Sequence, residues 1–357
     1  MNFREYLFTL GRLISPLYGV VMQFRAWGYR SGMFARARLP VPVICIGNLT
    51  MGGTGKTPMV IALAQFLLGE GWRPAVISRG YGGRAKESVN IVSDGSRVLL
   101  DVSEAGDEPF LLAQNLPGVP VLTGSRRALP GRTAIERFGA DIIVMDDGFQ
   151  HLALERDLDI VLFKAGTYLG RGRVFPGGEL REPLSALQRA GVFCITGVDD
   201  APHNETGAFQ DWLLENYPGR PVHLISFQAR LCDEQGGSIA FGEGANHQHY
   251  YVMSGLAGPQ SFYRSLAAFG IKTVGALSFE DHHSYQEKDL KRVVDLAIQS
   301  GATAIVTTEK DLVKLHGQGF ALPVHCFKIR MILPVEFKQF LKELLSQFRD
   351  SPRTIQP

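Results

Sequence analysis

Gly47-Asn48-Leu49-Thr50-Met51-Gly52-Gly53-Thr54-Gly55-Lys56-Thr57-Pro58 joins a short apolar run to a helix-forming one, and its reading decides the fold. Upstream, Val43-Ile44-Cys45-Ile46 is apolar, mostly β-branched and bounded by Pro42 and Gly47, as a buried strand requires. Downstream, Met59 to Leu68 is apolar and strong in helix formers, and Pro58 suits a first helical turn. Glycines 52, 53 and 55 let backbone N–H groups turn inward around phosphate oxygens. The helix N-terminus adds partial positive charge, Lys56 reaches the outer phosphates, and Thr57 is placed to hold magnesium. Gly52, Gly53, Thr54, Gly55, Lys56 and Thr57 are therefore the expected nucleotide cradle.

The general pattern G-x-x-x-x-G-K-[ST] has glycine where this chain has Thr50. A Gly-rich strand-to-helix turn with an incidental lysine is the plainer alternative, and the flanking strand and helix argue against it. Met51 occupies the position at which ATPases that partition or deliver other proteins carry a signature lysine.

A chain of 357 residues with 45% hydrophobic content buries a sizeable core, and the length predicts two domains. A formal charge of +2 and a pI near 8.3 give no reason to expect a nucleic-acid partner. The charge is unevenly spread: Arg4, Arg12, Arg25, Arg30, Arg36 and Arg38 face only Glu5 within the first forty residues. Cys45, Cys194, Cys232 and Cys326 lie far apart, so neither a zinc knuckle nor a disulfide framework is indicated, and a reducing cytoplasm fits.

Apolar residues at 3, 6, 7, 10, 13, 14 and 17 have helical spacing along one face. No run approaches the roughly 20 apolar residues of a transmembrane helix, and no signal-peptide cleavage site is present. The segment is expected to lie on something. An anionic membrane surface and the body of the protein are both open.

Further along, Pro74-Ala75-Val76-Ile77 reads as a strand delivering Ser78-Arg79-Gly80-Tyr81-Gly82-Gly83 at its C-terminal end, the edge at which parallel sheets bind ligands. Gly106-Asp107-Glu108-Pro109 precedes a helix at Phe110 to Asn115, and helix capping accounts for its acids without any catalytic purpose. Arg126 and Arg127, after the strand Val119 to Leu122, clamp phosphate or sit on a solvated face. Asp141-Ile142-Ile143-Val144-Met145-Asp146-Asp147-Gly148 is more specific, since a buried strand ending in acids is the usual partner of a phosphate loop, holding magnesium directly or through water. The Gly- and Arg-rich stretch from Gly170 to Leu184 is long enough to be functional and suits an anionic substrate.

The pattern predicts an α/β fold: a P-loop NTPase-type, mostly parallel sheet flanked by helices, with a second, smaller α/β domain. The expected divisions are residues 1–228 with the N-terminal amphipathic helix, 229–334, and a C-terminal helix within 335–357 packing back on the first domain. Gly236 to Gly244 reads as a linker. Asp281-His282-His283 invites a metal reading, but three adjacent residues fit a surface site better.

Together, Gly52-Gly53-Thr54-Gly55-Lys56-Thr57-Pro58, Ser78-Arg79-Gly80-Tyr81-Gly82, Gly106-Asp107-Glu108-Pro109, Asp146-Asp147-Gly148-Phe149-Gln150-His151, Leu180-Arg181-Glu182-Pro183-Leu184, Asp281-His282-His283 and Thr308-Glu309-Lys310-Asp311 resemble the tetraacyldisaccharide 4'-kinase (lipid A 4'-kinase) family. The resemblance spans nearly the whole chain, and Thr50 is no departure from it. It implies transfer of the ATP γ-phosphoryl group, with Mg2+, to the 4'-hydroxyl of an acylated glucosamine disaccharide 1-phosphate. The place implied is the cytoplasmic face of the inner membrane, for a peripheral protein; a monomer is expected, although the sequence leaves the oligomeric state open.

The same resemblance implies Asp107 assisted by His282 as the base that accepts the hydroxyl proton, beside Lys56. It makes Tyr81, Arg127, Gln150 and Arg181 substrate contacts, and Thr57, Glu108, Asp146 and Asp147 metal-site residues. It favours the N-terminal helix as a surface for acyl chains. Which of Asp146 and Asp147 touches the metal stays open, as does His282 against His283 on chemistry alone. A kinase of a small soluble metabolite and a nucleotide-driven switch are the competing classes. The guanine-reading sequence Asn-Lys-x-Asp of many switches does not occur.

Overall fold

The computed structural model describes residues 8–240, 248–256, 258–281, 283–315 and 319–350. Its strands in chain order are β1 (Val43–Asn48), β2 (Pro74–Ser78), β3 (Asn90–Ser93), β4 (Val121–Thr123), β5 (Ile142–Asp146), β6 (Leu158–Lys164), β7 (Val192–Thr196), β8 (Val222–Cys232), β9 (Ser238–Ile239), β10 (Tyr250–Ser254), β11 (Thr273–Ser278), β12 (Ala304–Thr308) and β13 (Val324–Ile332). They form one 13-stranded sheet in the order β11-β10-β12-β13-β8-β7-β6-β1-β5-β2-β4-β3, with β9 attached to β8. β1 pairs in parallel with both β5 and β6, and every residue of β1 and β5 is buried. Strands covered on both faces need unbroken apolar runs, which is why these segments show no alternation.

β8 belongs to both halves of the sheet. Its first residues pair in parallel with β7 through Phe193↔Val222 to Thr196↔Ile225, and from Ser226 to Cys232 it runs antiparallel to β13. The expected division between residues 228 and 229 thus falls inside a continuous strand. Within the stretch expected as a linker, β9 pairs with Leu231 and Cys232 of β8, and residues 241–244 of that stretch lie outside the described residues. Cys232 and Cys326 face one another across the β8–β13 pair as free, buried thiols.

The helix Val335–Asp350 carries Phe337, Leu341 and Leu345 into the same core cluster as Met59, Val60 and Leu67 of the helix Lys56–Gly69. At its far end Arg349 lies 4.9 Å over the Trp72 ring and donates to the Glu70 carbonyl at 3.0 Å. A second cluster, with Tyr250, Val252, Phe262 and Val306, packs the other half.

The helix Ser15–Arg30 is inside out. Its buried positions are the small residues Ser15, Gly19 and Gly28, whereas Leu17 is 66% exposed, Val20 59% and Phe24 56%. Ser15 Oγ donates to the Val174 carbonyl at 2.5 Å, and Arg25 donates to the Gln150 carbonyl at 3.1 Å, so the small side lies on the long loop and the large apolar side faces outward. Among the described residues no helix is long and apolar enough to cross a membrane. The apolar positions 3, 6 and 7 of the expected stripe lie outside the described residues.

Leu341 is fully buried in the shared cluster. Leu341→Ala is expected to lower unfolding stability by about 2–5 kcal/mol, the range for a leucine truncated in a packed core. Chemical denaturation followed by fluorescence checks it.

Candidate active site

The phosphate loop closes on Gly55, which caps the helix Lys56–Gly69 at φ 83° and ψ 24°. This is left-handed backbone, and a Cβ there would also lie 2.5 Å from Met331 Cε of β13. A Cβ on Gly52 or Gly53 would meet nothing within 4 Å, so the mouth of the loop is open. The Lys56 side chain, 13% exposed, lies 3.6 Å from Asp147 Oδ1 and donates to Asn48 Oδ1 at 3.2 Å. Asn48 in turn donates to the Thr50 carbonyl at 2.7 Å, holding the start of the loop. Arg181 Nη1 donates to both oxygens of Asp147 at 2.9 and 3.0 Å, and Gln150 Nε2 donates to the Asn48 carbonyl at 3.0 Å. The fold therefore gathers Lys56, Gln150, Asp147 and Arg181 at the C-terminal ends of β1 and β5. Asn48, which orients Lys56, carries no sequence signal of its own.

The adjacent acids differ in environment. Asp147 stands at φ 46°, an uncommon region for a residue with a side chain. Burial works to raise its pKa, but Lys56 and Arg181 outweigh burial and hold the carboxyl below its usual range. Asp146 is 2% exposed, and its Oδ1 has no hydrogen-bond partner. Burial, with Glu108 and Asp147 nearby, pushes its pKa up to about 7 against the pull of Lys56 and Arg127. Arg127 is 4% exposed, is held by the carbonyls of Gly124 and Ser125 at 3.2 and 3.1 Å, and leaves its Nε without a partner. It is a guanidinium inside the site, and burial followed by Arg79 lowers its pKa.

A second wall comes from the helix Asp107–Asn115. This helix starts at Asp107, so both acids lie in its first turn and not ahead of it as the proline suggested. Gly106 before it has φ 87° and ψ 155°, and a Cβ there would lie 2.4 Å from the Tyr81 carbonyl oxygen. That close approach seats the Arg79–Gly83 turn beside Asp107, with the Tyr81 side chain 68% exposed.

Facing this wall, Lys314 Nζ lies 2.8 Å from Asp107 Oδ2, and Lys310 bridges Glu108 at 3.9 Å and Asp281 at 3.2 Å. His282 lies outside the described residues. The His283 ring is engaged elsewhere, 3.0 Å from Asp289 Oδ2 and stacked on Phe279 at 4.8 Å. Thr57 follows Lys56 in the first turn of its helix.

A mostly parallel sheet with a glycine loop leaving β1 and acids ending β5 defines the P-loop class of nucleotide-binding proteins. The family model for tetraacyldisaccharide-1-P 4'-kinase matches residues 7–348. The tetraacyldisaccharide 4'-kinase of Desulfotalea psychrophila is 41% identical over 350 residues, covering 98% of this chain and 99% of that protein. That of Syntrophus aciditrophicus is 41% identical over 352 residues, covering 95% and 92%. The crystal structure of LpxK from Aquifex aeolicus in complex with ATP superimposes with a TM-score of 0.75 at 31% identity, over 97% of this chain and 99% of that one. The chain belongs to the tetraacyldisaccharide 4'-kinase family.

The Gly106 conformation lies in a region that essentially only glycine occupies. Gly106→Ala is expected to cost about 1–3 kcal/mol from backbone strain alone, and more from the Tyr81 contact. Thermal unfolding beside turnover measures both effects, and an unchanged melting temperature would count against the close approach.

Proposed function

We propose that this chain is an ATP-dependent kinase that transfers the γ-phosphoryl group to the 4'-hydroxyl of tetraacyldisaccharide 1-phosphate in lipid A synthesis. The observation that carries the reading is the meeting of two walls in a member of this family. Lys56 and the Asp146–Asp147 pair stand on one side and the Asp107–Glu108 turn on the other, close enough for Glu108 to raise the pKa of Asp146.

Phosphoryl transfer is mainly positioning and charge neutralisation. The loop N–H groups and Lys56 hold the ATP phosphates. Arg127, with its free Nε, and Arg181, Gln150 and Tyr81 are the contacts to substrate phosphate or sugar. Asp107, assisted by His282, accepts the hydroxyl proton as the new P–O bond forms and the bond from the γ-phosphorus to the β–γ bridging oxygen breaks, releasing ADP.

Among the described residues no three His, Cys, Asp or Glu side chains close into a metal cage. A magnesium site of this kind needs none, because the ion keeps several waters and takes one or two carboxylates plus phosphate oxygens. The unpartnered Asp146 Oδ1 and the mutual repulsion of Glu108, Asp146 and Asp147 fit such a cation, with the Thr57 hydroxyl completing the donor set. Bound there, magnesium would neutralise charge on the transferring phosphate.

Incubation with labelled ATP, magnesium and detergent-solubilised disaccharide 1-phosphate is expected to give a bisphosphorylated glycolipid. Lys56→Ala is expected to abolish it, and Asp107→Asn to lower kcat by about 10²–10⁴-fold, the usual worth of a general base. Full turnover by the Lys56 variant would sink the loop assignment.

The outward apolar face of the N-terminal segment supports docking on a membrane surface, and the lipid substrate of the proposed reaction makes the cytoplasmic leaflet of the inner membrane the place for it. Leu10, Leu13, Leu17, Val20, Val21 and Phe24 are all more than half exposed, and the basic residues of the same segment suit anionic headgroups. This face also disfavours a soluble-metabolite kinase, which has no use for it. The intact chain is expected to co-sediment with anionic liposomes and to be only partly released by high salt, since each nearby basic residue contributes about 1 kcal/mol and apolar burial the remainder. Equal sedimentation of a chain lacking residues 1–34 would show the lipid to be gripped elsewhere.

A further inference from the structure

Asp107 stands on the first half of the chain, and Asp281 and His283 on the second, so holding the proposed proton acceptor against the second half needs a tie between them. Lys314 spans that gap. Its side chain is only 7% exposed, its ammonium lies 2.8 Å from Asp107 Oδ2, and it donates to the His283 carbonyl at 3.3 Å. An ammonium has three donors in a fixed tetrahedral arrangement, so satisfying both partners restricts where each can lie.

The plainer role for a buried lysine is to neutralise Asp311, 3.7 Å away. Asp311 also accepts from the Tyr285 hydroxyl at 2.9 Å, the Gly255 N–H at 3.0 Å and the Thr308 hydroxyl at 2.8 Å, so its hydrogen bonding does not depend on Lys314. The shortest carboxylate contact of Lys314 is to Asp107. Four residues earlier, Lys310 repeats the bridge between the flanking acids Glu108 and Asp281.

We propose that Lys314 is a positioning residue for phosphoryl transfer, fixing the Asp107 carboxylate relative to the backbone at His283. The proposal rests on Asp107 being the proton acceptor. A misplacement of about 1 Å in a reacting group costs on the order of 10²-fold in rate.

The test measures kcat and KM on the full chain with ATP, magnesium and detergent-solubilised disaccharide 1-phosphate, for Lys314→Met, Asp107→Asn and the double variant. Lys314→Met is expected to lower kcat by about 10²-fold with KM for ATP unchanged. In the Asp107→Asn background the same change is expected to cost little more, because the group that it positions is already disabled. A wild-type kcat in Lys314→Met overturns the proposal, and so does a full further loss in the Asp107→Asn background. Both results leave Asp107 as the acceptor, provided that Asp107→Asn alone is impaired. Full turnover by Asp107→Asn overturns the acceptor reading and this inference with it. Should Lys314→Met fail to fold, Lys314→Gln keeps hydrogen-bond donors without the charge. It is expected to show a smaller fall in kcat at unchanged KM for ATP, and a wild-type kcat there overturns the proposal.

Discussion

Strand β8 sets the geometry on which everything else rests, because it is hydrogen-bonded in parallel to β7 and then antiparallel to β13 without a break in the chain. The angle between the two halves is therefore fixed by backbone pairing over the whole length of one strand. β13, the partner, also presses Met331 toward Gly55 and sends Arg330 to Glu309 at 2.7 Å and to Asn115 Oδ1 at 2.6 Å. The helix Asp107–Asn115 is thus held to the second half at both ends, by Lys314 at its start and Arg330 at its finish. A cleft so anchored presents its acids at set positions, the condition under which fixed charges are most effective in transfer chemistry.

Within that cleft two adjacent carboxylates are driven apart in character. Asp147 is ionised and claimed by Lys56 and Arg181; Asp146, one residue earlier, is sealed off with an oxygen that nothing satisfies. Neighbouring acids whose environments push their pKa values in opposite directions are the usual mark of divided roles. Here the division comes from the strand end itself, where successive side chains point to opposite faces and the φ of 46° at Asp147 turns the chain out of the sheet.

Much of the first half was legible because its signals are local. The run Val43 to Ile46, the glycines that follow and the acids ending Ile142 to Met145 each announce a buried strand and its loop. β13 was not legible: Lys328 and Arg330 interrupt its apolar pattern, and their partner Glu309 is distant in sequence. Lys310 was quoted within the Thr308–Asp311 motif and Lys314 not at all, since nothing near them in sequence shows that Glu108 and Asp107 lie opposite. Asn48 was quoted as part of the loop, yet its hold on Lys56 appears only when the strand end is folded. The N-terminal helix showed its period but not its polarity. An amphipathic stripe specifies that one face is apolar, and only the packing of Ser15 and Gly19 on the loop around Val174 and Pro183 shows that the stripe faces outward.

That outward stripe bears on how a lipid with a sugar head can be handled at all. Drawing an acyl chain out of a bilayer costs about 0.8 kcal/mol per methylene, so even ten methylenes would demand about 8 kcal/mol before any chemistry began. On the proposed docking the chains stay where they are. The protein comes to the leaflet with its small-residue face clamped on the loop that bears Arg181, and only the head group has to leave the interface. Encounter with the lipid then becomes a search in two dimensions, while ATP arrives from the third.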